Sequence, residues 1–224
     1  MENCERKGIS NMADLEIFRK TLGDMGTNCY IMVNHDTGEC IVFDPAAEPE
    51  VLKGIFSDSA FKLQAIFLTH GHFDHIGAVK ELKDTFHVPV YASKEENEQV
   101  LGKLEVNLSA MFGMPMTLQA DKVLRDGEKV EIIGTTLTCI LTPGHTAGGM
   151  CYYNEELQSV IAGDTLFCGS VGRTDFPTGN GAVLLNSIRE KLFTLPDETK
   201  VFPGHMDSTT VGWEKETNMV CGIH

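Results

Sequence analysis

Histidines and a carboxylate crowd into one short segment of this chain, from His70 to His75, which has the sequence HGHFDH. Three imidazoles and one carboxylate on so short a loop can point at two centres at once. Neutral imidazole and carboxylate are ligands that Zn²⁺ favours, and they also suit Fe and Mn. Without a cation, this crowding of titratable groups would cost stability through desolvation and mutual repulsion. The segment therefore predicts a metal site.

Three more potential ligands follow, each after an apolar, strand-like run. His145 and His205 both come directly after a Pro-Gly pair, and Asp164 comes directly after Gly163. Glycine permits the sharp turns and close backbone approach that a metal site needs. Functional side chains are commonly placed where strands end and loops begin. We expect these three residues to join the HGHFDH segment at one edge of a sheet.

The elements that must position these ligands alternate between strand-like and helix-like patterns in both halves of the chain. This pattern predicts two sheets facing each other with helices outside, in a single domain over 13–224 that follows an N-terminal tail at 1–12. Met12 is an alternative start. Strands are predicted at 28–33, 40–43, 63–68, 88–91, 130–133, 136–141, 150–153, 159–162 and 199–202, and helices at 51–56, 76–86, 94–101, 182–195 and 210–218.

Composition narrows the classes of partner. The chain has 224 residues and 42% apolar residues, which is ordinary for a globular protein. No run approaches the roughly 18 apolar residues of a membrane span, and the first dozen residues do not resemble a signal peptide, so we expect a cytoplasmic location. The net charge of −14 disfavours nucleic acid and anionic membranes as partners. A small-molecule substrate is the expected partner, and the oligomeric state stays open.

Cysteine usage favours thiols over disulfides. The chain has seven cysteines, an odd number, and none of them forms the closely spaced pair of a zinc knuckle or a redox dithiol. Four of them lie in apolar, strand-like runs, where we predict buried, reduced side chains. These four are Cys29, Cys40, Cys139 and Cys151.

In the type and order of its candidate ligands, the chain resembles the metallo-β-lactamase superfamily. The resemblance covers nearly the whole chain, from Thr27 to beyond His205. Within the superfamily it is most similar to the small glyoxalase II-like, or hydroxyacylglutathione hydrolase-like, enzymes. The shared segments are GDTLF at 163–167, GRTD at 172–175 and PGH at 203–205. The resemblance implies an α+β fold, an αββα four-layer sandwich with its site at one edge of the two sheets.

The same resemblance implies a centre with two divalent metal ions, zinc first and Fe or Mn as alternatives. A hydroxide bridging the cations would attack a carbonyl carbon, and Asp74 would pass a proton to the leaving group. Asp74 and Asp164 are thus the predicted catalytic carboxylates. All seven ligand positions of the family are filled: His70, His72 and His145 for one metal, Asp74, His75 and His205 for the other, and Asp164 between them.

The implied activity is hydrolysis of a thioester such as S-lactoylglutathione, or of a related thioester or ester. Few residues follow His205, whereas true glyoxalase II enzymes add a helical domain that holds glutathione, so recognition of glutathione stays open. One alternative is a persulfide dioxygenase with a single iron. That group shares the pattern from Gly172 to Phe176 but typically has Ala at the position of Gly204. A second alternative is a metal-binding member without turnover; β-lactamase, lactonase and nuclease activities rank lower.

Two further features have two interpretations each. Arg173 and Asp175 either contact substrate or form a salt-bridged loop beside the site. The four side chains Met111, Phe112, Met114 and Met116 either line a substrate mouth or provide adaptable packing.

The remaining polar candidates are assigned structural or surface positions. Asp44, which precedes Pro45, is predicted to brace a loop without binding metal. His35 and His87 are predicted to be surface residues, and His224 is the chain end.

Overall fold

A computed structural model of the chain describes residues 13–58 and 61–223. The predicted tail at 1–12, Cys4 and His224 lie outside these ranges, and the assignment of 13–224 to one domain stays a prediction. None of the helices described is both long and apolar enough to cross a bilayer.

The first six strands form one sheet, in which they lie side by side in chain order. The first three strands alternate in direction, and the third to sixth run parallel. The elements of this half are β1 (Leu15–Leu22), β2 (Thr27–Asn34), β3 (Glu39–Phe43), α1 (Pro49–Asp58), β4 (Lys62–Phe67), α2 (Phe73–Ile76), α3 (Val79–Phe86), β5 (Val90–Ser93), α4 (Lys94–Gln99) and β6 (Lys122–Leu124).

The second half of the chain builds another six-stranded sheet and a two-stranded ribbon. Its elements are β7 (Lys129–Ile132), β8 (Thr135–Leu141), β9 (Met150–Asn154), β10 (Ser159–Gly163), β11 (Leu166–Phe167), β12 (Ser170–Val171), α5 (Gly181–Glu190), a 3₁₀ turn (Leu192–Thr194), β13 (Lys200–Pro203), β14 (Thr209–Thr210) and α6 (Val211–Thr217). The sheet order is β14-β13-β10-β9-β8-β7, and β11 pairs with β12. β10 and β13 are parallel, so both end at the same edge.

An apolar layer between the two sheets holds them together. Phe43 and Phe67 of the first sheet lie 5.5 Å and 5.3 Å, ring centre to ring centre, from Tyr152 of the second sheet. The Tyr152 hydroxyl donates a hydrogen bond to the Leu68 carbonyl at 2.6 Å, so its buried polar atom is satisfied. Helices α1 and α3 pack on the outside of the first sheet, and α5 packs on the outside of the second. The αββα sandwich predicted from the sequence is confirmed.

Some helices and strands have different bounds in the structure from those predicted. The hairpins β2–β3 and β9–β10 form as predicted. The helix predicted over 76–86 is instead divided into α2 and α3, and the break includes Gly77. A Cβ at Gly77 would lie 2.2 Å from the Ala46 carbonyl oxygen, so the close approach of the neighbouring loop requires glycine here. The strand β1 was not predicted, because it lies at the sheet edge with most of its side chains in solvent.

Five of the six cysteines in the described residues are buried, and all six are free thiols, as the sequence predicts for the four named above. Burial raises the pKa of Cys139 to about 12 and that of Cys151 to about 11, so these thiols stay protonated at pH 8. Cys168 alone among the six is exposed.

We therefore expect iodoacetamide at pH 8 to alkylate Cys168 in the folded protein and to leave the five buried thiols unmodified. Peptide mass mapping measures the labelled positions. Protein unfolded in urea is the control, in which all of these thiols should react. Labelling of Cys151 in the folded protein as fast as Cys168 would show that Cys151 is not buried.

Candidate metal centre

The predicted ligands come from loops that follow the carboxyl ends of strands in both sheets. His70 follows β4, His145 follows β8, Asp164 follows β10 and His205 follows β13. A backbone hydrogen bond of 2.8 Å from Met150 N–H to the Thr69 carbonyl ties the two sheets together at this edge. The strand directions therefore deliver ligands that are distant in sequence to one place.

Three buried imidazoles form the first group. His145 Nε2 lies 3.3 Å from His70 Nε2 and 3.0 Å from His72 Nδ1. The exposed fraction of each of these residues is 4% or less. One nitrogen from each ring thus converges on a common point, within 4.8 Å of the others.

Asp74, His75 and His205 form the second group, and one oxygen or nitrogen from each again lies within 4.8 Å of the others. His205 Nε2 lies 3.4 Å from Asp74 Oδ2, and His75 Nε2 lies 3.9 Å from the same oxygen. Asp74 retains some exposure and also accepts a hydrogen bond of 3.3 Å from the Thr27 hydroxyl. This group is more acidic and more open than the first.

Asp164 lies between the two groups. Its Oδ2 is 3.5 Å from His145 Nε2 in the first group and 3.6 Å from His205 Nε2 in the second. Its Oδ1 is 3.5 Å from His75 Nε2. The structure therefore brings all seven predicted residues into one continuous site with Asp164 at its centre.

The donor set fits divalent cations. Outside the site, His145 Nδ1 donates to the Arg173 carbonyl at 2.7 Å, and His75 Nδ1 lies 2.9 Å from Asp44 Oδ2. In that tautomer the other nitrogen of each ring carries its lone pair into the site. His75 Nε2 and Asp164 Oδ1 are buried and have no hydrogen-bond partner in the described part of the chain. A bound cation would satisfy both atoms.

The pKa values of the histidines also indicate a site for divalent cations. Burial, reinforced by neighbouring imidazoles, lowers the pKa of His70 far below its usual value and the pKa of His72 to about 3. These rings are therefore neutral, the form that binds metal. Burial also lowers the pKa of His75, but Asp164, Asp74 and Asp44 outweigh it and raise that pKa to about 10. Three carboxylates around one imidazole leave an excess of negative charge that a dication would neutralise.

Asp44 orients two of these histidines, which extends the predicted role of bracing a loop. It is 2% exposed and adopts a left-handed backbone conformation with φ of 47°. Its Oδ2 accepts a hydrogen bond from the Thr69 hydroxyl at 2.6 Å, and that hydroxyl lies 3.2 Å from His70 Nδ1. One carboxylate thus holds His75 directly and His70 through Thr69. The Asp-Pro pair in the sequence indicates a turn but not these contacts.

Glu96, on α4, connects the two loops that carry the first group, and the sequence did not identify it. Its Oε1 accepts a hydrogen bond from Gly71 N–H at 2.7 Å. Its Oε2 accepts from the Thr146 hydroxyl at 2.8 Å and from Gly148 N–H at 3.0 Å. The side chain is buried, and burial raises its pKa to about 7 although these hydrogen bonds lower it. The burial of a carboxylate on an otherwise polar helix is the feature that marks Glu96 as important. The sequence of this segment does not reveal that burial.

Close packing at two glycines shapes the second group. Gly163 has a φ of 49°, and a Cβ there would lie 2.2 Å from the Thr69 hydroxyl oxygen. A Cβ at Gly204 would lie 2.2 Å from Asp164 Oδ1 and 2.7 Å from His75 Cε1. A side chain at Gly163 would displace Thr69 and one at Gly204 would displace Asp164, so both positions require glycine.

Arg173 and Asp175 lie at the rim on the His145 side. Arg173 makes two hydrogen bonds of 2.7 Å to Asp175, and both side chains are more than half exposed. The Arg173 guanidinium lies 3.8 Å from the centre of the Phe176 ring, which in turn lies 6.0 Å from His72. The salt-bridged loop is thus observed, and substrate contact by these side chains stays a prediction. The contact with a candidate ligand is made by the Arg173 carbonyl.

On the Asp74 side the site opens into a groove of about 550 Å³. Loops at 22–27, 46–49 and 112–116 form its walls, together with Phe73 and Asp74. Three of the four residues considered for a substrate mouth line this groove: Phe112, Met114 and Met116. Met111 is not among the lining residues and is 70% exposed. We call this groove the Asp74 groove.

The two histidines predicted to be surface residues are both exposed. His35 is exposed and lies 2.9 Å from Glu16, and His87 is an exposed residue at the end of α3.

Two facing sheets with outer helices and a cluster of histidines and aspartates at one edge define a class of metal-binding hydrolases. The chain belongs to the metallo-beta-lactamase superfamily, whose family model matches residues 22–205. That range includes every candidate ligand, from His70 to His205.

Related proteins include hydrolases. The chain is 37% identical over 202 residues to a Bacillus subtilis protein described as "Probable metallo-hydrolase YqgX", covering 89% of this chain and 94% of that one. It is 34% identical over 197 residues to hydroxyacylglutathione hydrolase GloC of Haemophilus influenzae, covering 85% and 91% of the two chains.

Solved structures share the fold. The BLEG-1 B3 metallo-beta-lactamase has a TM-score of 0.87 and 37% identity, covering 92% of this chain and 99% of that one. TTHA1623, solved in a di-iron-bound form, has a TM-score of 0.79 and 33% identity, covering 90% and 98%. ETHE1 from Myxococcus xanthus has a TM-score of 0.77 and 27% identity, covering 92% and 84%.

Proposed function

We propose that this protein is a binuclear metallohydrolase that cleaves acyl thioesters. The observation that carries the proposal is the position of Asp164, within 3.6 Å of ligand atoms in both groups. A carboxylate shared in this way is what a two-metal site requires. The similarity to GloC, a hydroxyacylglutathione hydrolase, supports the choice of thioesters.

His70, His72 and His145 would hold one cation, Asp74, His75 and His205 the other, and Asp164 both. When bound, two divalent cations supply a water nucleophile near neutral pH and polarise the substrate carbonyl. Zinc is our first choice of metal, and the di-iron form of TTHA1623 keeps iron as an alternative.

The chain's own groups have separate tasks in this reaction. Asp44 and the Arg173 carbonyl hold imidazole rings in one orientation, so little reorganisation is needed. Asp74 is the most exposed carboxylate of the site, placed where the groove meets the second group. We assign Asp74 the transfer of a proton to the departing sulfur.

Gly204 supports the binuclear proposal over the mononuclear dioxygenase alternative. A Cβ at Gly204 would lie 2.2 Å from Asp164 Oδ1, so the Ala typical of that group would displace Asp164. Gly204 lets Asp164 approach His75 and His205 together, which a second cation needs. The alternative without turnover is disfavoured by the complete set of seven candidate ligands.

The proposal is tested by elemental analysis of the purified protein, together with assays on the same sample. We expect two equivalents of Zn, Fe or Mn per chain and hydrolysis of S-lactoylglutathione or an acyl thioester. One iron per chain with oxygen uptake on glutathione persulfide would establish the dioxygenase instead. A cephalosporin probe is included because BLEG-1 is a metallo-beta-lactamase, and its hydrolysis in preference to every thioester would overturn the substrate assignment.

A further inference from the structure

The side chains that line the Asp74 groove suit an apolar ligand group. Among its lining residues are Met25, Phe112 and Met114, whose exposed fractions are 50%, 44% and 48%. Phe112 stacks on the buried Phe73 with ring centres 4.4 Å apart, which fixes one wall of the groove next to Asp74. Large apolar side chains left in water beside a reaction centre indicate a surface that a ligand covers.

The charges in the groove exclude anionic ligands. Among the described residues that line the groove there is no lysine, arginine or histidine, whereas Asp24, Glu48 and Asp74 do line it. Glu48 is fixed in place by accepting a hydrogen bond of 2.9 Å from Gly23 N–H. A ligand carrying carboxylates or phosphates would be repelled by Asp24 and Glu48, which are not metal ligands, and would find no basic side chain among the described lining residues to pair with.

Building on the proposed function, we infer that the Asp74 groove binds the acyl half of the substrate and selects thioesters of uncharged, apolar acyl groups. The anionic carrier thiols, glutathione among them, do not suit this groove. The thiol half then lies on the His145 side, where the Arg173–Asp175 pair forms the rim. Water adds to the acyl carbon, the carbon–sulfur bond breaks, and the products are a carboxylic acid and a thiol.

The first test varies only the acyl length. The zinc-loaded protein is assayed with acetyl, butyryl, hexanoyl and octanoyl thioesters of N-acetylcysteamine, whose thiol half is neutral. We expect kcat/KM to rise about two- to fourfold per added methylene group, mainly through KM, because each buried methylene contributes to binding. A flat or falling series, with S-lactoylglutathione and the acetyl thioester both hydrolysed, would overturn the inference while leaving the proposed function intact.

Substitutions in the groove wall test whether this groove causes the dependence of kcat/KM on acyl length. Met114→Asp places a charge on the groove wall and should flatten the dependence on acyl length, and Met25→Asp on a different loop should do the same. Met219→Asp is the matched control, because Met219 is 86% exposed and is not among the groove's lining residues. An unchanged slope in both folded groove variants would count against this site.

A binding measurement separates the two proposals. Calorimetry compares the thioethers S-octyl- and S-ethyl-N-acetylcysteamine, which cannot be hydrolysed. We expect the octyl compound to bind at least about tenfold more tightly, and this preference to be lost in Met114→Asp. If metal-loaded protein hydrolyses no thioester, the proposed function fails, and these affinities still decide the groove: equal affinity for both thioethers overturns the inference.

Discussion

Replacing Asp164 with alanine is expected to lower kcat/KM for thioester hydrolysis on the order of 10³-fold or more, an effect at least as large as the loss of a transition-state hydrogen-bond donor. The physical reason is that Asp164 lies within 3.6 Å of His75, His145 and His205, so its removal leaves both groups short of a ligand. We also expect the metal content to fall from two equivalents per chain to one or fewer. Elemental analysis and initial rates on the same sample measure both effects.

Two further variants sharpen this experiment. Asp164→Asn keeps one oxygen ligand but loses the negative charge, so we expect an intermediate metal content. His35→Ala is the control for loss of a polar side chain outside the site, since His35 is exposed and paired with Glu16. If Asp164→Ala retained wild-type rates and two equivalents of metal, the assignment of Asp164 as the shared ligand would be wrong.

Replacing Glu96 with alanine is expected to destabilise the protein at pH 5 on the order of 3 kcal/mol, because two backbone N–H groups and one hydroxyl lose their buried partner and a cavity forms. The same loops carry His70, His72 and His145. We therefore expect the affinity for the first metal to fall about 10- to 100-fold, as found when a residue that orients metal ligands is removed. Urea unfolding measures the stability, and competition with a chelator measures the affinity.

The stability effect should depend on pH. Burial raises the pKa of Glu96 from an ordinary value of 4.5 to about 7, so the native state binds this proton more tightly than the unfolded chain. Its contribution is complete below pH 4.5 and is lost as the pH rises through about 7, a change on the order of 3 kcal/mol. The advantage of the wild type over Glu96→Ala should therefore shrink between pH 5 and pH 7.5. Both proteins are compared at equal metal content, so that the titration of the histidines cancels.

Glu98→Ala is the matched control for Glu96, because Glu98 lies exposed on the same helix and its contact with Lys94 is 3.8 Å. We expect it to change stability by less than about 0.5 kcal/mol and to leave metal affinity unaltered. A Glu96→Ala protein as stable as this control, with the same metal affinity, would show that Glu96 does not position the first group.

The sequence by itself predicted a metal site and the order of layers. The HGHFDH segment and the residues His145, Asp164 and His205 were recognisable because each follows a buried, apolar strand, and such runs are local patterns. The alternation of strands and helices likewise predicted two sheets with helices outside. These features depend on neighbours in the chain, which is why they can be read without coordinates.

Only the tertiary structure decided what surrounds the ligands. Glu96 reaches Gly71 and Gly148 across 25 and 52 positions of sequence, and no local pattern indicates such contacts. Asp44 meets His75 across 31 positions through a strained backbone conformation that its sequence neighbours do not reveal. The Asp74 groove needs three separate loops to meet, so its apolar walls, and the absence of basic side chains from its described lining, emerge only in the folded chain.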